Sequence, residues 1–544
     1  MIALILLATS MLEQADEISM LYAPIVAKQP TPSQTRQTDA ALQTASNWFS
    51  MGLDPIEEKL WVVLADIGID ALELKGLKDG FDVRYENYGK VAMAAAKKDI
   101  VMIGTVLSST KKDIDFAFAL KNAGTYPELY SMVEIAPKDW NLLPNGNIPW
   151  LTLQKLHEKG YVPKEFAPYV KQSEWNATGP ICGVDKKTRR WIYLQDREGL
   201  PRLDWLSPSF GSLRLAAADA LISFYRLGQP ILQLDAALPD NAKETMSLTI
   251  RKMGGFSAAF SKGGIDALRQ STDLVYDHLT PIAALHALVA EDAEALRITY
   301  QMLLDEEIQP KSLIHAMEPF GRAPCDWAEL LAAPTKKHRY YEEVLTAEAL
   351  RRRLLYEDVL ALGGKAGDDL PFLTWPETCA SLIKIQDLEE RCCQILELHV
   401  LLAKFFAWQP GVFSLSMEDL LGTVHQEHLY TLGGTFSSQL KSILRARREI
   451  NLEHATLIDV PTTEQRGLLI LRFELPNTYS ALVAVNFSKQ PVSENLESPT
   501  YYRTTAIDLE THLRLNKPLD STFFTLKIDP LSAKLILFQP KIYR

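Results

Sequence analysis

Between about residue 48 and residue 430 the chain alternates short apolar runs with longer stretches of helical spacing, and this limits its fold more than any other feature. The short runs are Ala71–Lys75, Ile100–Leu107, Pro230–Ala236, Gly255–Phe260, Leu274–His278, Ser312–Met317 and Gly411–Ser416. Between them lie amphipathic stretches such as Ser212–Leu227, Glu291–Glu307 and Ala380–Trp408. Short apolar runs without alternation suit strands buried on both faces, and parallel strands need a long crossover, usually a helix. Seven or eight such units imply a closed barrel. With Gly80–Tyr88 as a further strand the count reaches eight. The expected class is α/β, a (β/α)8 TIM barrel.

Two regions break the alternation. Residues 108–211 form a long insertion after the third strand and hold five of the ten tryptophans: Trp140, Trp150, Trp175, Trp191 and Trp205. These indoles suit either a sugar-stacking platform or the small core of a loop-rich subdomain, and the second reading is favoured. Residues 466–539 contain short strands separated by Pro, Asn, Ser and Asp, and Thr525–Asp529 alternates polar with apolar. That pattern belongs to an antiparallel sheet with one wet face. The expected division is 1–107, an N-terminal helix and the first part of the barrel; 108–211, the inserted subdomain; 212–455, the rest of the barrel; and 456–544, a C-terminal antiparallel, sandwich-like β-domain. The opening MIALILLATSM has no Lys or Arg before its apolar run and reads as a first helix rather than a signal peptide.

Composition narrows the partners. Lys and Arg number 57 against 68 Asp and Glu, a net charge of −11, which argues against broad nucleic-acid or anionic-membrane binding. No apolar stretch is long enough to span a bilayer. Five cysteines without a CxxC speak against a disulfide framework and fit a reducing, cytoplasmic setting. The ten histidines form no HxH or HExxH, and His425 with His428 reads as a polar face, so no metal site is expected. Gly363–Gly367 lacks phosphate-loop spacing and reads as a helix end. No cofactor is implied.

The segment Leu227–Ala236 carries the chemistry. A helix ends at Gly228, a buried strand follows, and Asp235 emerges at its C-terminal end, the face on which barrel active sites are built. Gln233, two residues earlier, shares its side of the strand. Here the chain resembles glycoside hydrolase family 13, the α-amylase superfamily, most closely the bacterial trehalose synthase or maltose α-D-glucosyltransferase type. Further runs carry the likeness in order: Tyr126–Pro144, Gly183–Gln195, Leu203–Phe210, Ile250–Phe256, Leu313–Met317, Gln409–Gly422 and Phe436–Arg448.

The resemblance implies a retaining mechanism with an Asp nucleophile, a Glu acid/base and a second Asp gripping the sugar. Such chemistry needs two carboxylates about 5 Å apart. Only Asp235 matches. Gln233 stands where the family has Arg, Phe260 where it has the acid/base Glu, and Gly321 where it has the second Asp. In the first family region Gly104 replaces an Asp and Ser108-Ser109 end a motif that should close on His, which also weakens the case for a bound calcium. Among strand-end residues that could face the barrel mouth (Glu318, His315, Asp277 and Glu73), Glu318 is the best substitute acid. The reading is a catalytically inactive protein of carbohydrate metabolism, a binding or partner subunit. The alternative is an active α-glucosidase or transglucosylase using Asp235 with a substitute acid. Expected partners are an oligosaccharide or disaccharide and either a second copy or an active paralogue.

Overall fold

A computed structural model describes residues 37–52, 58–74, 83–112, 114–124, 126–162, 174–196, 199–205, 230–235, 238, 240–252, 254–260, 265–269, 271–317, 375–376, 379, 383, 385–424, 427–428, 434–497, 504–515 and 523–540. The expected first helix, Ser212–Leu227, Cys325, Gly363–Gly367, His425, Glu318 and Gly321 lie outside the described residues.

Eight parallel strands close into a barrel: β1 (Asn47–Met51), β2 (Ala71–Leu74), β3 (Val101–Val106), β4 (Ile231–Leu234), β5 (Phe256–Ala259), β6 (Leu274–Tyr276), β7 (Leu313–Ala316) and β8 (Val412–Ser416). They neighbour one another in chain order, and β1 returns to β8 with Asn47 opposite Phe413. The TIM-barrel expectation therefore holds, with one strand corrected. Residues Val83–Ala96 form a helix, because β2 and β3 are parallel and the chain must cross back between them. The eighth strand is Asn47–Met51, all five residues buried.

The entry to β8 is fixed by an interior cation. Helix Leu388–Ala407 ends just before it, and the fully buried Arg447 donates to the carbonyls of Ala407, Gln409 and Gly411. Burial pushes the guanidinium pKa down to about 10, against the opposing charges of Glu453 and Asp70.

The chain falls into two compact units. One contains Leu74–Ala94 and Met102–Ala259. It carries the insertion after β3, an antiparallel sheet of Met132–Glu134, Trp191–Leu194, Trp175–Ala177 and Gly146–Asn147, in that spatial order. Its core joins Ile135, Ile148, Leu153, Leu156, Trp175 and Ile192. Trp140 is half-buried against this core, Trp191 is buried, and Trp205 joins a separate cluster with Val106, Leu107, Leu232 and Leu234 of the barrel.

The other unit contains Gln37–Glu73, Ala95–Val101 and Phe260–Arg544. Its C-terminal part is an antiparallel sheet in the order Thr456–Asp459, Leu468–Glu474, Ser480–Asn486, Ser532–Pro540, Thr504–Asp508, with a separate pair Val492–Glu497 and Phe523–Ile528. Ile470, Leu482, Leu526 and Ile536 meet in one apolar cluster, and the intervening Leu469, Leu471, Val483, Val485 and Leu535 are buried too, so the central strands are covered on both faces rather than wet on one. No helix among the described residues is long and apolar enough to cross a membrane.

Candidate functional site

In the first unit the site begins at β4. Ile231 to Leu234 are buried between β3 and β5, with Gln233 opposite Thr105 on one side and Ala258 on the other. Asp235 follows at the strand end, half-buried, its amide donating to the Val106 carbonyl at 3.3 Å. The Ser108 hydroxyl donates to Oδ2 of Asp235 at 2.6 Å. Three hydroxyl residues after β3 thus hold the surrounding loops. Ser108 binds Asp235, Ser109 donates to Asp196 at 2.7 Å, and Thr110 pairs with the Tyr130 hydroxyl at 2.9 Å. Gln233 is buried, and its Oε1 has no hydrogen-bond partner among the described residues. A glutamine cannot supply the positive charge an arginine would bring beside the aspartate.

Because Asp235 only accepts from Ser108 in this bond, an amide oxygen can take its place. Asp235→Asn is expected to change stability by less than about 1 kcal/mol in a denaturant titration near neutral pH. A loss of several kcal/mol would mean that the ionised carboxylate is itself required by the fold.

The second unit shows what stands where a proton donor is expected. Phe260, at the end of β5, stacks on Tyr276 of β6 with ring centroids 3.9 Å apart and planes 10° from parallel. Trp48 of β1 meets Tyr276 edge-on at 6.5 Å, and the Tyr276 hydroxyl donates to Glu73 of β2 at 3.2 Å. Neither β1 nor β2 neighbours β6, so these side chains meet through the barrel interior. Burial, then the charge of Glu73 and the bond to it, push the Tyr276 hydroxyl well above the usual tyrosine range. It stays neutral and donates. Of Glu73, Asp277 and His315, it is Glu73 that faces inward, where its bond from Tyr276 places it.

Asp277 and His315 do not. Asp277 follows the inward Tyr276 by one residue and therefore points to the opposite side, toward the helices. It accepts from the amides of Leu279 and Thr280 at 3.0 Å each, from the Thr280 hydroxyl, and from His315 Nδ1 at 3.0 Å. Burial raises its carboxyl pKa, and the hydrogen bond and charge of His315, with the Thr280 contacts, outweigh this and hold it below the usual value. This is the anchor of helix Thr280–Ala290. Parity could have shown it in the sequence, once Tyr276 was known to face inward. Among the described residues no group of three His, Cys, Asp or Glu could hold a metal ion.

No family model matches the chain, and no curated protein matches it in sequence. Solved structures do match. An Anoxybacillus α-amylase shares 10% identity at a TM-score of 0.53, covering 92% of this chain and 99% of that one. The Geobacillus thermoleovorans α-amylase complexed with acarbose shares 11% at 0.53, covering 92% and 99%. The α-amylase from H. orenii shares 11% at 0.52, covering 91% and 100%. At such identities the likeness is one of fold: this chain is built on the barrel architecture of these α-amylases.

Proposed function

We propose that this protein is a non-hydrolytic relative of the α-amylases and trehalose synthase-like glucosyltransferases, a pseudoenzyme that binds an oligosaccharide as a binding or partner subunit. The observation that carries the proposal is Phe260 stacked flat on Tyr276. Retaining glycoside cleavage needs a second carboxyl group to protonate the leaving oxygen. A phenyl ring cannot do so. The acarbose complex of the Geobacillus thermoleovorans enzyme supports carbohydrate as the ligand class.

The competing reading is an active α-glucosidase or transglucosylase, and it draws on the retained Asp235 at the end of β4. Incubation with maltose, trehalose and sucrose decides between them. The proposal expects no glucose release and no maltose–trehalose interconversion by chromatography. Enzyme-dependent conversion that disappears in Asp235→Asn would replace it with the active reading.

A further inference from the structure

We propose that one face of the inserted subdomain, formed by the helix Ile114–Leu120 and the tip of the hairpin Ile181–Arg189, docks an acidic part of the surface of a second copy of this chain. The helix turns Phe116 and Ala119 inward, where Phe116 meets Tyr130 and Tyr193 edge-on at 5.1 and 5.0 Å. At about 100° per residue, Ile114, Phe118 and Lys121 then share the opposite side. Ile114 is 61% exposed and Phe118 40%. Tyr126, half-buried, lies against Phe118 with ring centroids 5.2 Å apart.

The hairpin brings another apolar residue to the end of this helix. The amide of Val184 donates to the carbonyl of Lys121 at 2.9 Å, and Val184 is 62% exposed. The tip is held in shape from below. Arg189 is buried and donates to both oxygens of Asp185 at 2.6 Å and to Glu134 at 3.1 Å. The Gly183 amide closes onto the Lys187 carbonyl at 2.8 Å. Lys186 sits at φ +62°, a left-handed conformation that L side chains rarely adopt, and is exposed. Apolar side chains held in water and rimmed by polar groups are what a protein contact uses.

Charge says what covers the face. Residues 111–128 and 181–190 carry seven Lys and Arg against four Asp and Glu, a surplus of three. The whole chain has a net charge of −11, so the remainder carries −14. Asp185 is paired with Arg189, whereas Lys121, Lys186 and Lys187 stand exposed around Val184. A second copy supplies acidic surface in excess. A nucleic acid or an anionic membrane would attract this face and repel the rest of the chain. Across a two-fold axis the lysines would meet their own copies, so the contact runs head to tail, basic face to acidic surface. It requires no sugar, and its failure leaves the carbohydrate reading standing.

The test is sedimentation velocity of the full chain over a roughly hundredfold range of concentration, at about 0.05 M and about 0.5 M salt. Wild type is compared with Phe118→Glu, with Lys186→Glu/Lys187→Glu, and with Val62→Glu, which alters an exposed valine on the helix Glu58–Ile67. At low salt the wild-type mass should rise above the monomer's with concentration. Association should be at least tenfold weaker at high salt, in Phe118→Glu and in the double lysine variant, and unchanged in Val62→Glu. The lysine variant changes only exposed side chains, so it decides the matter even where Phe118→Glu fails to fold. Wild type that stays monomeric at low salt overturns the proposal. Association that salt or either variant of the face leaves unchanged also overturns it, as does equal loss in Val62→Glu. Monomeric wild type that floats with vesicles of anionic phospholipid overturns it too, and gives the face to a membrane.

Discussion

Asp277→Ala is expected to lower the stability of the protein by about 3 kcal/mol or more, because it strips the acceptor from several buried donors at once. The carboxylate is fully buried and holds two amides, the Thr280 hydroxyl and His315. An alanine leaves these donors without an acceptor in a place water does not reach. Asp277→Asn keeps one oxygen and should lose less. Because the folded carboxyl titrates below its unfolded value, its stabilisation is complete above the unfolded pKa and is lost as pH falls through the folded one. The gap between wild type and Asp277→Asn should therefore shrink as pH falls below about pH 4. Urea titrations across that fall in pH check both points. A cost under about 1 kcal/mol for the alanine variant would show that the network does not anchor its helix.

Gly411→Ala is expected to cost more than about 3 kcal/mol, through backbone geometry rather than lost bonds. Gly411 has φ +93°, in the left-handed region, and leads into β8. A Cβ there would run into the Leu313 carbonyl oxygen and lie 2.5 Å from that of Pro310. Both obstacles are main chain, at the start of β7, and cannot swing aside as a side chain would. A melting temperature within a degree or two of wild type would contradict this local geometry.

Seven barrel strands were legible in the sequence because a doubly buried parallel strand is a short apolar run between helices. Asn47–Met51 was not, because Asn47-Trp48-Phe49-Ser50-Met51 has neither alternation nor a β-branched residue and only its place between β2 and β8 makes it a strand. Gly80–Tyr88 misled in the opposite direction: its Phe, Val and Tyr suit a strand, while the need to cross from β2 to β3 makes residues from Val83 onward helical. At the site, Asp235 was marked by its position at a strand end. Its Ser108 partner, 127 residues away in sequence, could not be read without the pairing of β3 and β4. Glu73 could not be told apart from Asp277 for the same reason. Which face a strand-end carboxylate occupies depends on a parity that only a cross-barrel contact, here the one to Tyr276, fixes.

The most direct test of the central claim uses α-glucosyl fluoride, whose leaving group departs without a proton donor. It asks whether Asp235 still acts as a nucleophile, independently of the residue at 260. Because Gln233 brings no positive charge to Asp235, the account predicts no fluoride release above the uncatalysed rate and no glycosyl adduct in the intact mass. Fluoride release that is lost in Asp235→Asn, or one glycosyl unit mapped to Asp235, would contradict it.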